Sequence, residues 1–106
     1  MLSRINSQHW NDENGNPAGG NTYGNGFAIG WQNGPLNRGA ERLQPNGAFV
    51  EDIIAAAKDR LEYYQRSKFN CVSNQKAIEA LDVALMNLQA RTADRESREV
   101  EGTHEV

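Results

Sequence analysis

Two arginines one helical turn apart stand near the end of the chain, in "LQARTADRESREVEGTHEV": Arg91 and Arg95, followed by Arg98. Guanidiniums at positions i and i+4 share one face of a helix. A planar fork that never loses its charge is the group that holds phosphate oxygens two at a time. The plainer reading is a solvated salt-bridge ladder. A helix C-terminus attracts cations, and Asp94, Glu96 and Glu99 are close in sequence. Two features weigh towards an anion site. Arg91 follows Leu88 of an apolar stripe by only three positions, so its head need not point away from the packed side. Asn74, near the start of the second helix, supplies an amide beside the free backbone N–H groups of a helix N-terminus.

Other candidates for chemistry are weaker. His9 and His104 are separated by almost the whole chain and Cys71 stands alone, so no metal site and no cofactor are expected. No Ser-His-Asp or Cys-His arrangement suggests a nucleophile. Cys71 sits where a helix start would favour a thiolate, but a half-buried loop thiol is the simpler reading. "GNTYGNG" has the glycines of a phosphate-cradling loop without the Lys-Ser/Thr that completes one, so it reads as turn chemistry. Glu51 with Asp52, and Asp59 with Glu62, read as a solvated helix face rather than as paired catalytic carboxylates. The chain is therefore read as a non-enzyme.

Composition narrows the partners. The 106 residues make one domain at most and carry a net charge of −3, which argues against a DNA- or RNA-binding protein with a broad basic face. A local cluster can still hold a small anion. A single cysteine points to a reducing compartment. No stretch approaches the roughly 18 apolar residues of a membrane span, and "MLSRINSQHW" lacks the apolar run of a signal peptide. The expected location is the cytoplasm, without a membrane partner.

The elements that must position the arginines are legible in two unlike halves. Nine of the ten glycines lie between Gly15 and Gly47. "NDENGNPAGGN" has too little apolar surface to order itself, so residues 1–21 read as a mobile tail. Phe27, Ile29 and Trp31 then alternate with small or polar residues, the pattern of a short strand with one buried face. Asn25-Gly26 and Asn33-Gly34 bracket it with favoured turn dipeptides. Residues 22–45 are thus expected to form a small antiparallel β-ribbon and a loop, with "LNRGAERLQ" either a second strand or part of that loop.

Residues 46–98 read as a helical hairpin, followed by a C-terminal tail over 99–106. Val50, Ile53, Ile54, Ala57, Leu61 and Tyr64 follow the three-four spacing of an amphipathic helix. Asn46 is the expected N-cap, with Glu51 and Asp52 near the positive end of the dipole. "SKFNCVSN" breaks the pattern. Ala77, Ile78, Leu81, Leu85, Leu88 and Thr92 form a second stripe, and Phe49, Tyr63 and Met86 widen the apolar faces. Two such helices joined by a short loop fold back on each other. The expected fold is α+β: a small antiparallel β-ribbon followed by a long antiparallel two-helix hairpin. Each helix buries only one side against the other, and domains of this size are marginal. An oligomeric assembly is the physical default.

"NGAFVEDIIAAAKDRLEYYQRSKFNC", then "N…AI..L..AL..L.ARTADRESREVEGTH", resembles the phage immune-evasion sponges that include Thoeris anti-defence protein one. Their helical hairpin is shared with anti-CBASS protein two. "GWQNGP" upstream is similar to the N-terminal part of the Thoeris branch. The likeness covers roughly residues 27–106 and is densest from Asn46 to His104.

The resemblance implies a function. Members bind and sequester, without cleaving, the nucleotide second messengers of bacterial antiphage systems, in the cytoplasm of the infected host. The Thoeris branch takes up glycocyclic ADP-ribose isomers. Some members also hold cyclic dinucleotides in that pocket and cyclic trinucleotides in a separate one. A hexamer built from dimers is typical. By similarity, Asn74, Arg91 and Arg95 match ligand-contacting positions, Tyr64 matches an aromatic that stacks on a base, and Arg38 or Arg42 matches a contact from the upstream loop. This chain carries Glu99 where the family pattern often has glycine. The chemistry agrees: a pyrophosphate calls for arginine, and an adenine calls for an aromatic face and an amide that both donates and accepts. A hydrolase of the same messenger and a non-ligand-binding oligomeric scaffold are the alternatives.

Overall fold

The computed structural model describes residues 2–106 as strands β1 (Asn6–Asn11), β2 (Pro17–Gly24) and β3 (Phe27–Trp31), then helices α1 (Val50–Gln65) and α2 (Val72–Ser97). The chain forms two units, Met1–Phe49 with Arg98–Val106, and Val50–Ser97.

The first unit is built on an antiparallel three-stranded sheet in the order β1-β2-β3. β3 is the strand that the alternation of Phe27, Ile29 and Trp31 predicts, and it turns from β2 at Asn25-Gly26, where Gly26 has φ 80°. The ribbon reaches further than expected. β1 and much of β2 fall within residues 1–21, the stretch read from composition as a mobile tail. Asn6 pairs with Tyr23, Gln8 with Asn21 and His9 with Gly20, and a bulge follows before Asn11. The ladder is made of backbone groups, so polar strands can join it where a third strand and ring packing support them. Trp10 supplies such packing: its indole lies over Gly19, where a Cβ would come within 2.8 Å of the ring. Trp31 donates its indole N–H to Thr22 Oγ1 (2.9 Å).

The stretch after β3 is a loop with a single 3-10 turn at Gly39–Glu41, not a second strand. Asn46 does not cap α1, which opens at Val50. Its Oδ1 accepts the Asn33 N–H (2.8 Å) and its Nδ2 donates to the Asn33 carbonyl (2.9 Å). Its own N–H donates to Gln32 Oε1 (2.9 Å). The amide closes the loop instead, because the facing loop segment offers it more partners than a helix that opens four positions later.

Residues 99–106, read from the sequence as a tail, are knitted into this unit. The Asn37 N–H donates to the Gly102 carbonyl (2.7 Å). Gly102 (φ 82°) leaves no room for a side chain, since a Cβ would stand 2.5 Å from the Asn37 carbonyl oxygen. Asn16 and Asp12 meet His104, at 3.3 Å and 3.9 Å. Glu99 is left-handed (φ 58°), just beyond the end of α2, where helices favour a glycine.

The second unit is the antiparallel hairpin. α1 and α2 follow the two stripes, and Lys58 sets their register by an ion pair to Asp82 (2.6 Å) across the pair, with Glu62 3.8 Å away on its own helix. The packed side is thin. Ile78 is buried, but Ile53, Ile54, Leu61, Leu81, Leu85 and Leu88 are only half-buried. Val72, Val83 and Met86 remain exposed.

Candidate functional site

The closed end of the hairpin carries Tyr64 and Asn74. Tyr64 lies in the last turn of α1 and is exposed. The connection after it is held by side chains. Ser67 Oγ donates to the Tyr64 carbonyl (2.6 Å) and accepts the Phe69 N–H (3.1 Å). Gln65 reaches across to Cys71 twice: its Nε2 donates to the Cys71 carbonyl (3.0 Å), and its Oε1 accepts the Cys71 N–H (3.0 Å). Cys71 then starts α2, its sulfur accepting the Asn74 N–H (3.4 Å) in the manner of an N-cap. The thiol is exposed.

Asn74 has a structural task as well. Its Nδ2 donates to the Phe69 carbonyl (3.3 Å), which ties the loop to the helix start. The amide oxygen stays available as an acceptor, so the side chain can both brace the loop and meet a ligand.

Arg91 and Arg95 sit near the other end of α2, one turn apart on an unbroken helix. Arg91 is exposed, and its guanidinium has no hydrogen bond or ion pair among the described residues. The ladder with neighbouring carboxylates therefore does not include it. Arg95 is half-buried and is engaged within the fold. Seventeen residues of one helix separate Asn74 from Arg91 and twenty-one separate it from Arg95. At 1.5 Å per residue these are about 25 and 32 Å. One chain does not bring Asn74 and the arginines together.

Arg38 and Arg42 belong to the first unit. Arg38 Nη1 donates to the Glu101 carbonyl (3.2 Å). Arg42 Nη1 donates to the Asn37 carbonyl (3.2 Å) and pairs with the Glu101 carboxylate (2.6 Å). Glu101 thus touches both arginines of that loop, a relation 59 residues apart that no local pattern announces.

Sequence reading also passed over Arg60. Its guanidinium carbon stands 4.8 Å from the Tyr63 ring centroid and 5.0 Å from that of Tyr64. The two rings are 5.8 Å apart and inclined at 56°. A hydrogen bond to Tyr64 raises the Arg60 pKa above its ordinary value. The signal was legible, since residues three and four apart on a helix are neighbours. Among the described residues, no group of three or more His, Cys, Asp or Glu side chains is placed to hold a metal. No helix among them is long and apolar enough to cross a membrane.

A small antiparallel sheet followed by an antiparallel two-helix hairpin defines the structural class of the chain. The sequence model of the Acb2/Tad1 hairpin domain matches residues 24–93, and the chain belongs to that family. The match includes Arg38, Tyr64, Asn74 and Arg91; Arg95 lies just past its end. The chain is also similar to Thoeris anti-defense 1 of Bacillus phage SBSphiJ7, at 57% identity over 60 residues. That stretch is 57% of this chain and 42% of the phage protein, so the matched part spans less than half of that relative.

Proposed function

We propose that this chain is a phage immune-evasion sponge that binds and sequesters nucleotide second messengers without cleaving them, within the infected bacterial cell. The observation that carries the reading is Arg91: an exposed guanidinium without a partner among the described residues, one turn from Arg95, on the hairpin that defines the family. The name of the phage relative, an anti-defence protein against Thoeris, supports it. Glycocyclic ADP-ribose isomers are the first ligands, with the pyrophosphate on Arg91 and Arg95 and the adenine on Tyr64 and Asn74. Arg38 of the upstream loop is the remaining candidate contact, carried by the family resemblance alone. Cyclic dinucleotides fit the same chemistry, and cyclic trinucleotides would need a separate pocket.

The spacing along α2 asks for a second copy. A twofold dimer of antiparallel hairpins sets one chain's Asn74 beside its neighbour's Arg91 and Arg95, and repeats the contact, giving one ligand per chain. Dimers of this kind are the building blocks of a hexamer. The thin packing of the hairpin supports association, since Val72, Val83 and Met86 otherwise stay in water.

The test is a capture-and-release experiment. Purified protein is incubated with glycocyclic ADP-ribose, free ligand is removed, and the protein is heat-denatured. A sponge depletes the solution and releases the intact messenger on heating. Released products would make the protein a hydrolase, and an undepleted solution would make it a scaffold.

A further inference from the structure

The closed end of the hairpin is basic in an acidic protein. Four of the chain's eleven basic residues and one of its fourteen acidic ones lie between positions 60 and 78, a local excess of three positive charges in a chain of net −3. Arg60, Arg66, Lys68 and Lys76 make no ion pair with a carboxylate among the described residues. Aromatic rings are interleaved with them. Arg60 rests on Tyr63 and Tyr64, and the Lys68 ammonium lies 5.3 Å from the Phe69 ring centroid. Tyr63 and Phe69 are exposed. Cations alternating with open ring faces are the surface that takes nucleotides, phosphate on the cation and base on the ring.

Arg60 is the best prepared of the four. A free arginine loses much rotamer freedom when it grips a ligand. Here the two tyrosine rings already hold the guanidinium, so less remains to be lost. Its rings occupy faces of the group, not its full set of five N–H donors. No carboxylate has to be displaced before a phosphate can approach.

We infer that Arg60, seated over the Tyr63 and Tyr64 rings, is a further phosphate-contacting residue of the nucleotide site at the closed end of the hairpin. This rests on the sponge reading and adds a cation at the end where that reading places only Tyr64 and Asn74 against the ligand. The occupant is a small nucleotide carrying a pyrophosphate. A nucleic-acid strand is disfavoured because the basic region is confined to one tip of a chain that is acidic elsewhere.

The experiment is calorimetric titration of glycocyclic ADP-ribose, at two salt concentrations, into wild type and the variants Arg60→Gln, Arg60→Lys and Arg91→Ala, with circular dichroism as folding control. Arg60→Gln should bind about tenfold more weakly or worse, with a shallower salt dependence. Arg60→Lys keeps the charge without the fork and should lose less. Wild-type affinity in a folded Arg60→Gln, alongside a clear loss in Arg91→Ala, overturns the Arg60 assignment and leaves the sponge intact. If wild type itself does not bind, both fall. A parallel titration with a ten-residue oligothymidylate separates the occupants: binding of the strand more tightly than the nucleotide would overturn the choice of a small ligand.

Discussion

Mixing two inactive variants should restore binding if the pocket lies between subunits. The variants are Asn74→Ala and Arg95→Ala. The reasoning rests on α2 being one unbroken helix from Val72 to Ser97. Asn74 and Arg95 are about 32 Å apart along it at about 1.5 Å per residue, farther than one small nucleotide can span. Each homodimer of a single variant carries two defective pockets. After subunit exchange at equal concentrations, about half of the dimers are mixed, and each mixed dimer has one intact pocket and one lacking both residues. About a quarter of the wild-type capacity should therefore return. The assay is stoichiometric titration of glycocyclic ADP-ribose into the mixture, with exchange verified by mass spectrometry of differently tagged chains. Confirmed exchange without recovered binding would refute the shared pocket. Because the Asn74 amide also braces the Phe69 carbonyl, the folded state of Asn74→Ala is checked first by circular dichroism.

Arg91→Ala should lose about ten- to hundredfold in affinity, the cost of one charge-assisted contact, with an unchanged unfolding midpoint, since this guanidinium has no partner among the described residues; unchanged calorimetric affinity would argue against it. Tyr64→Phe should bind nearly as wild type and Tyr64→Ala much more weakly, because the ring face carries a stack; a folded Tyr64→Ala with normal affinity would remove the stacking role. Glu99→Gly should stabilise the protein by up to about 1 kcal/mol, because a left-handed residue with a Cβ is strained and a glycine is not; a lower thermal midpoint would contradict this. Asp12 titrates below its ordinary value of 3.8, first because of the backbone hydrogen bond from Asn16 and then that from Asn14, with the nearby His104 also favouring its charge. Its depressed value means that its contribution to stability is present above 3.8 and is lost as the pH falls through the lowered value. Acid unfolding should therefore show wild type ahead of Asp12→Asn at neutral pH, with the gap closing under acid, whereas a gap independent of pH would rule out the charge as its cause.

Local spacing determined much of this protein. Apolar residues at three-four intervals are enough to call for two helices, because one face must leave water, and the break at "SKFNC" is enough to turn the chain. The alternation of Phe27, Ile29 and Trp31 called for β3 by the same logic at period two. The pair Arg91 and Arg95 was legible because helix geometry alone places residues four apart on one face. Tertiary structure decided what depends on distant partners. β1 and the start of β2 have few apolar side chains to announce them; they are strands because backbone donors and acceptors find a ladder and because Trp10 settles on Gly19. Asn46 had the chemistry of a helix cap and was drawn to Asn33 and Gln32 instead. The last residues looked like a tail until Asn37 met Gly102 and Arg42 met Glu101. A sequence states which groups are available and their local period, whereas the partner each polar group finally takes is set by which distant segment the backbone brings within 3 Å of it.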